Sequence, residues 1–456
     1  MHLFAPSYRP QEFLQLHAYA AMVSAINALG QNPATGADID LLVCTGDMTD
    51  NCQLNELRWA VALLEGSDIL PFSGGPQYEG VSSVAWGDAA YWHPDRYDDI
   101  YKLHWGFPTL PGLLEDACQP FAAPGTSRPW ISCLGNHDAL VQGTAVYTPE
   151  FKRRVIGKHK VFRLHYGFNA LSHIGEYIQA PERFLAGPAH EVTTDPLRRS
   201  FSRTEFVQIH RAAPGNPPGH GFGTRTRVAA RTNYVDDSHA GIRLIVLDTV
   251  NASGNYHGSI GKAQLEWLQR RLAEVHSQYY DTKGRRVRTS ATDRLVVLLS
   301  HHGIDSLVND MVTPGGETDL PRVLGPQFEA QLHRFPSVVL WVNGHTHRNT
   351  ITPRPDRSGK TGGFWEVTTT SLIDWPGQAR LIELVSNGDG TLSVLCTMVD
   401  HAAAADPAKA GGPYRLASIH RELAANDPHC GVKSGFAGTP ADRNVELVLP
   451  APFGMD

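Results

Sequence analysis

Five short apolar runs set the terms on which this chain can fold. Asp38 to Thr45 ends in Gly46-Asp47, and Trp130 to Leu134 ends in Gly135-Asn136. Ile242 to Leu247 is followed by Asp248, Leu295 to Leu299 by Ser300-His301, and Val338 to Val342 by Asn343-Gly344. Each run is rich in Val, Ile or Leu and too short for a helix, so each reads as a buried parallel strand. Helical patterns lie between them. Residues 11–30 are Ala/Leu-rich and stop at a glycine, and Lys262 to Val275 carries apolar residues at helical spacing. Strands alternating with helices predict an α/β fold, a layered sandwich around mixed or parallel sheets. In such sheets ligands sit beyond the carboxyl ends of the strands, which is where the polar residues fall.

Length alone, 456 residues, suggests two to four domains. The order of the strand-end motifs argues instead for one large domain over residues 1–400. Two stretches interrupt the alternation, at about 66–128 (Gly, Pro and aromatics) and 140–235 (Arg clusters and a Pro/Gly-rich piece at 213–221). Both are too long to be plain connections, so they read as insertions covering the strand-end face. Residues 401–456 read as a C-terminal extension with a helix near Tyr414 to Ala425. The formal net charge is -6 and no Lys/Arg run stands out, which gives no electrostatic reason to propose nucleic acid or an anionic membrane as partner. No run of about 18 apolar residues exists, so no transmembrane helix is expected, and no signal peptide is visible. None of the six cysteines forms a C-x-x-C pair. Cys44 and Cys133, inside strand-like runs, read as buried free thiols.

The chemistry lies in four motifs, in order: Gly46-Asp47-Met48-Thr49-Asp50-Asn51, Gly135-Asn136-His137-Asp138, Ser300-His301-His302 and Gly344-His345-Thr346-His347. Each alone is weak, because a Gly-Asp is usually a turn and paired histidines usually satisfy hydrogen bonds. Four of them at the ends of strands form a metal-ligand pattern. Carboxylate, amide oxygen and neutral imidazole suit Zn, Mn and Fe. Two cations about 3.5–4 Å apart can clamp an in-line displacement at phosphorus and lower the pKa of water.

At these residues the sequence resembles the calcineurin-like metallophosphoesterase superfamily. Its pattern is D-x-H, then G-D-x-x-D, G-N-H-D/E, a strand-end His, and G-H-x-H. The resemblance extends to Leu244–Thr249 and Gln264–Leu268, and covers roughly residues 1–65, 130–139 and 240–400. It implies a phosphoesterase with two metal ions and a small phosphorylated substrate. Asp47 would bridge the metals. Asn136, His301 and His345 would bind the second metal, and His347 the first. His302 is a weaker candidate than His301. His137 would act on the phosphoryl group as general acid or charge stabiliser, with Asp138 orienting its ring and Asp50 in a supporting role.

The D-x-H block departs from the pattern. The chain opens Met1-His2-Leu3, so an Asp just before Met1 would complete the block and make His2 a ligand of the first metal. The expectation is therefore a chain that starts at an internal Met, with a short apolar strand and an Asp upstream. A secretion signal could lie there too, and the default compartment is otherwise cytoplasmic. Arg380, near the last motif, is a candidate phosphate contact, with a structural ion pair as the equal alternative. Two other readings stay open. One is a nuclease of the same superfamily, using a basic groove from Arg198, Arg199, Arg203, Arg211, Arg225, Arg227 and Arg231. The other is a metal-binding protein whose catalysis is weakened by the missing Asp.

Overall fold

In the computed structural model, which describes residues 8–96, 98–165, 167–168, 172–223 and 231–455, the five apolar runs are strands. In chain order the main elements are α1 (Gln15–Leu29), β1 (Leu42–Cys44), α2 (Leu54–Glu65), β2 (Trp130–Ser132), α3 (Arg203–Ala212), β3 (Tyr234–Asp236) and β4 (Ile242–Val246). They continue with α4 (Lys262–Ala273), β5 (Leu295–Leu299), α5 (Gly325–Leu332), β6 (Val338–Asn343), β7 (Thr350–Arg354) and β8 (Phe364–Thr368). The last are β9 (Gln378–Ser386), β10 (Thr391–Asp400), α6 (Arg415–Asn426) and β11 (Val445–Pro450). The expected helix at 11–30 begins with a short 3-10 turn and stops at Gly30, whose φ of 64° ends the helix.

The principal sheet has six strands in the order β7-β8-β6-β5-β4-β3. β8, β6, β5 and β4 are parallel, and the two edges, β7 and β3, are antiparallel. The sheet is therefore mixed. Alternation along β5 divides its side chains between two cores. Val296 and Leu298 pack with Leu268 and Leu272 of α4 and Phe328 and Leu332 of α5. Leu295, Val297 and Leu299 face a second layer of strands, sharing a core with Trp130 and Ile131 of β2 and Val394 and Leu447 of the antiparallel β9-β10-β11 sheet. Beyond that layer lie α1, through Met22 and Ile26 against Val399, and α2, through Leu57 and Val61. The layers run helix, sheet, sheet, helix.

Two expectations change. The first run is parallel, paired with β2, but only Leu42–Cys44 is strand, and all three residues are half-buried. β5, β6 and β2 are buried along their whole length. β1 differs because, among the described residues, its second edge has no strand partner, and that edge borders a cavity. The segment after residue 400, expected as a C-terminal extension, packs on the rest of the described fold. β11 hydrogen-bonds to β10 along Val445–Pro450, and α6 packs Ala417 with Ala21 of α1. Its Ala/Pro/Gly-rich composition hid a strand with alternating burial. The insertions supply walls of the same cavity, with Phe72, Tyr78 and Tyr91 from the first and Tyr147, Phe151 and Lys160 from the second.

All six cysteines are free. Among the described residues no helix is long and apolar enough to cross a membrane.

Two histidines give the fold a defined acid limit. His276 is fully buried; its Nδ1–H donates to the Leu272 carbonyl at 2.6 Å and its Nε2 accepts from the Ser337 N–H at 3.0 Å. His210 is equally buried between the Phe206 carbonyl and Ser132 Oγ. Burial pushes His276 down to about 4 and His210 down to about 3. Both stay neutral in the fold, whereas the unfolded chain takes up their protons below about 6.5. Stability present above pH 6.5 is thus lost as pH falls toward these lower values, by about 1.4 kcal/mol per pH unit for each histidine. Between pH 6 and 4 these two histidines should lower the thermal midpoint. His276→Gln should lessen that slope, and an unchanged slope would show that His276 is not one of the groups responsible.

Candidate metal centre

The site begins where the loops after β1 and β2 cross. Gly46 and Gly135 lie back to back. A Cβ on Gly135 would stand 2.1 Å from Asp47 Oδ1, and one on Gly46 would stand 2.8 Å from His301 Nδ1. No other residue fits at Gly135 without displacing the carboxylate. Asp138 ties the two loops together. Its Oδ2 accepts from the Gly135 N–H at 2.9 Å, and its Oδ1 accepts from the N–H and hydroxyl of Thr49 at 3.0 and 3.1 Å.

Asp47, at φ 55°, turns its carboxylate into the crossing, where Oδ1 accepts the His137 N–H at 2.9 Å. Its Oδ2 lies 3.0 Å from His301 Nε2. Apart from this charged contact, His301 Nε2 is a buried nitrogen with no hydrogen-bond partner among the described residues. Its Nδ1 donates to the Thr45 carbonyl at 2.8 Å, which leaves Nε2 as the lone-pair atom. Asn136 anchors its amide nitrogen on the Gly143 carbonyl at 2.9 Å, so its Oδ1 is likewise buried without a partner. Burial raises the Asp47 carboxyl, but His301 and His137 outweigh it and hold the group well below the usual carboxylate range.

The final motif brings in two more imidazoles. His345 and His347 both have positive φ, 67° and 55°. Of the seven non-glycine residues in that backbone region among those described, three are Asp47, His345 and His347. Such conformations persist where the surroundings enforce them, and they gather at functional sites. The His345 ring lies 5.2 Å from that of His301, centre to centre, and burial beside His302 and His301 keeps it neutral. His347 Nδ1 donates to Asp374 Oδ2 at 2.5 Å, which leaves its Nε2 as the free donor atom. Asp374 is fully buried and gripped through both oxygens by Arg9, at 2.5 and 3.1 Å. A carboxylate behind the far nitrogen of a histidine is the usual support of a metal ligand. Sequence reading stopped at the loop containing Asp374 and did not find it. The sign available was a lone Asp in an apolar setting shortly after the G-H-x-H turn.

His302 groups with His301 and His345, their ligand atoms within 4.8 Å of one another. Both its nitrogens are already engaged, Nδ1 with Thr249 Oγ1 at 2.7 Å and Nε2 with the Tyr256 carbonyl at 2.9 Å. Burial pushes it down to about 3. It serves as a wall against which His345 packs, at 4.3 Å between ring centres.

Three expected roles meet different surroundings. The His137 ring is oriented by Asp50, not Asp138: Nδ1 donates to the Asp50 carbonyl at 2.7 Å, and the Asp50 carboxylate is 3.4 Å away. Asp138 is consumed by the loop contacts above. Although burial lowers the imidazolium, Asp47 and Asp50 raise it to about 9. Arg380 donates to the carbonyls of Arg443 and Asp442, at 3.0 and 2.7 Å, and to Asn349 Oδ1, while its Nε is buried without a hydrogen-bond partner among the described residues. His2 lies outside the described residues.

Compared with known proteins, the chain matches no protein-family profile, and no curated protein matches it. Among solved structures it is similar to a dimetal phosphatase from Danio rerio, with 12% identity over 59% of this chain and 80% of that one, at a TM-score of 0.28. A likeness that loose carries no argument, and the site is read from its own residues.

The donor set fits a cation. Replacing Asp374 by Asn keeps the shape but removes the charge that holds His347. Asp374→Asn should weaken metal binding by about 10–100-fold, the usual loss for such a partner. Metal titration by calorimetry on wild type and variant checks this, and equal affinities would remove Asp374 from the site.

Proposed function

We propose that this chain is a metal-dependent phosphoesterase that hydrolyses a phosphomonoester or phosphodiester at a two-metal centre. The observation carrying the reading is the pair of buried, unpartnered donor atoms, Asn136 Oδ1 and His301 Nε2, beside the low-pKa carboxylate of Asp47. A buried polar atom without a partner is costly, and a bound cation removes that cost. Asp47, Asn136, His301 and His345 would hold one ion, and Asp47 and His347 the other, with His2 as a further ligand. Bound Mn, Fe or Zn ions would supply an activated water and charge neutralisation at the phosphoryl group.

The chain's own residues do the rest. Asp50 aims the His137 ring, and Asp50 and Asp47 keep it protonated, the form that donates to a leaving oxygen. Asp138 fixes the loop that carries both Asn136 and His137. The insertions wall the cavity in front of the site, which favours a substrate small enough to enter it. A nuclease groove finds less support. Arg203 is paired with Asp248, Arg199 with Glu205, and Arg198 and Arg211 with backbone carbonyls. Arg225 and Arg227 lie outside the described residues.

Bound metal per chain and hydrolysis of an aryl phosphate monoester and diester test the proposal. Asn136→Ala should lose metal and most activity. His137→Ala should keep its metal and lose about 10²–10⁴-fold in rate. A wild-type chain that binds metal and hydrolyses neither ester would favour the weakened metal-binding reading. Loss of metal in His137→Ala would overturn the role given to that ring.

A further inference from the structure

Asp374 is the middle of a relay that leads away from the metal centre. Its Oδ2 accepts from His347 Nδ1 at 2.5 Å and from the Arg9 guanidinium at 3.1 Å. Its Oδ1 accepts from Arg9 Nε at 2.5 Å. Arg9 stands 365 residues earlier in the chain, shortly before α1. The Asp374 side chain is fully buried, and that of Arg9 is 19% exposed. Two N–H groups of one flat guanidinium therefore meet both oxygens of one carboxylate. That fork fixes the plane of the carboxylate as well as its position.

Other groups hold the main chain around the relay. Gln11 Nε2 donates to the Ile373 carbonyl at 3.0 Å, the Ile373 N–H donates to Ser371 Oγ at 3.1 Å, and the Trp375 N–H donates to the Cys430 carbonyl at 3.3 Å. The His347 carbonyl accepts from Thr370 Oγ1 at 2.8 Å. These bonds place the backbone of Asp374 and His347 and leave the rotation of two side chains to be settled. The His347 ring is directed only as well as Asp374 Oδ2 is fixed, and Arg9 fixes it. His301 is directed differently, by the main-chain carbonyl of Thr45, which cannot turn as a side chain can.

We propose that Arg9 is a positioning residue of the metal centre: through Asp374 it sets the direction of His347 Nε2, and with it the affinity for the ion that His347 holds. The inference rests on the two-metal reading above. It concerns one ion of the two. Asn136 and His301 are directed by the carbonyls of Gly143 and Thr45, so the ion assigned to them does not depend on the relay. A methionine at position 9 keeps the apolar stem and removes the fork, which leaves a buried carboxylate free to turn away from His347. A lysine restores the charge and still lacks the fork, so it recovers part of the effect.

The test titrates zinc ions by calorimetry into the metal-free full chain, with the thermal midpoint of the metal-free protein as the check on folding. Wild type should bind two ions. Arg9→Met should weaken one binding step by about 10–100-fold, the usual loss when the partner behind a ligand is removed, and leave the other step unchanged. Arg9→Lys should fall between the two. Arg9→Met added to Asp374→Asn should cost no further affinity, because both changes break the same relay. Unchanged steps in Arg9→Met would overturn the proposal, and so would losses that add in the double variant. An equal loss at both steps, with a lowered midpoint, would make Arg9 a residue of the fold alone and overturn it as well. A wild-type chain that binds fewer than two ions would overturn the two-metal reading itself, and this inference with it.

Discussion

The carboxylate of Asp138 is the knot from which the rest of the site hangs. It is buried, accepts the N–H of Gly135 from its own loop, and accepts the N–H and hydroxyl of Thr49 from the loop after β1. Those bonds set the distance between two strand ends that share only three paired residues each. With the distance fixed, Gly135 can press against Asp47, and the His137 N–H can reach Asp47 Oδ1. Burial, and then the neighbouring Asp47 charge, push Asp138 up to about 6, so its fixed position is held against an electrostatic cost. That role explains why an acidic residue beside a reactive histidine need not touch the ring.

Around this knot, three imidazoles are each directed by a partner on one ring nitrogen. Thr45 turns His301, Asp374 turns His347, and the Asp50 carbonyl turns His137. Every partner lies on a loop at the same ends of the strands. His302 shows the contrasting case, with both nitrogens bonded and nothing left to offer. Sequence spacing cannot tell His301 from His302, because the distinction is made by Thr249 and Tyr256 arriving from a separate loop.

The strands and the convergence of the motifs were legible because both follow from local pattern. An apolar, β-branched run followed by Gly and a polar residue is recognisable without knowing its neighbours. Asp47, His301, His345 and His347 were singled out in this way as candidate ligands. The misreadings concern contacts made across the chain. Arg380 stood evenly between a phosphate contact and a structural ion pair, and the carbonyls of Asp442 and Arg443 that it meets come from some sixty residues later. Asp374 acquires meaning only through Arg9 and His347. β11 was hidden because its alternation of half-buried and exposed residues sits in a Pro/Gly-rich surrounding, where turn signals outweigh a short strand.

The half-buried state of β1 links the cavity to the metal centre. Asp47 follows Cys44 by three residues, so the position of its carboxylate is inherited from a strand secured along one edge. Among the described residues no strand pairs with its other edge, which borders the cavity. Asp138 and the Gly46–Gly135 contact restrain the loop at its far end. Whatever secures that edge therefore also secures the bridging carboxylate, although the two lie on different sides of the Gly46 turn. Rigid placement of a ligand is what separates a bound ion from a catalytic one. The order of β1 consequently governs how well the proposed centre performs chemistry, independently of how many of its ligands are present.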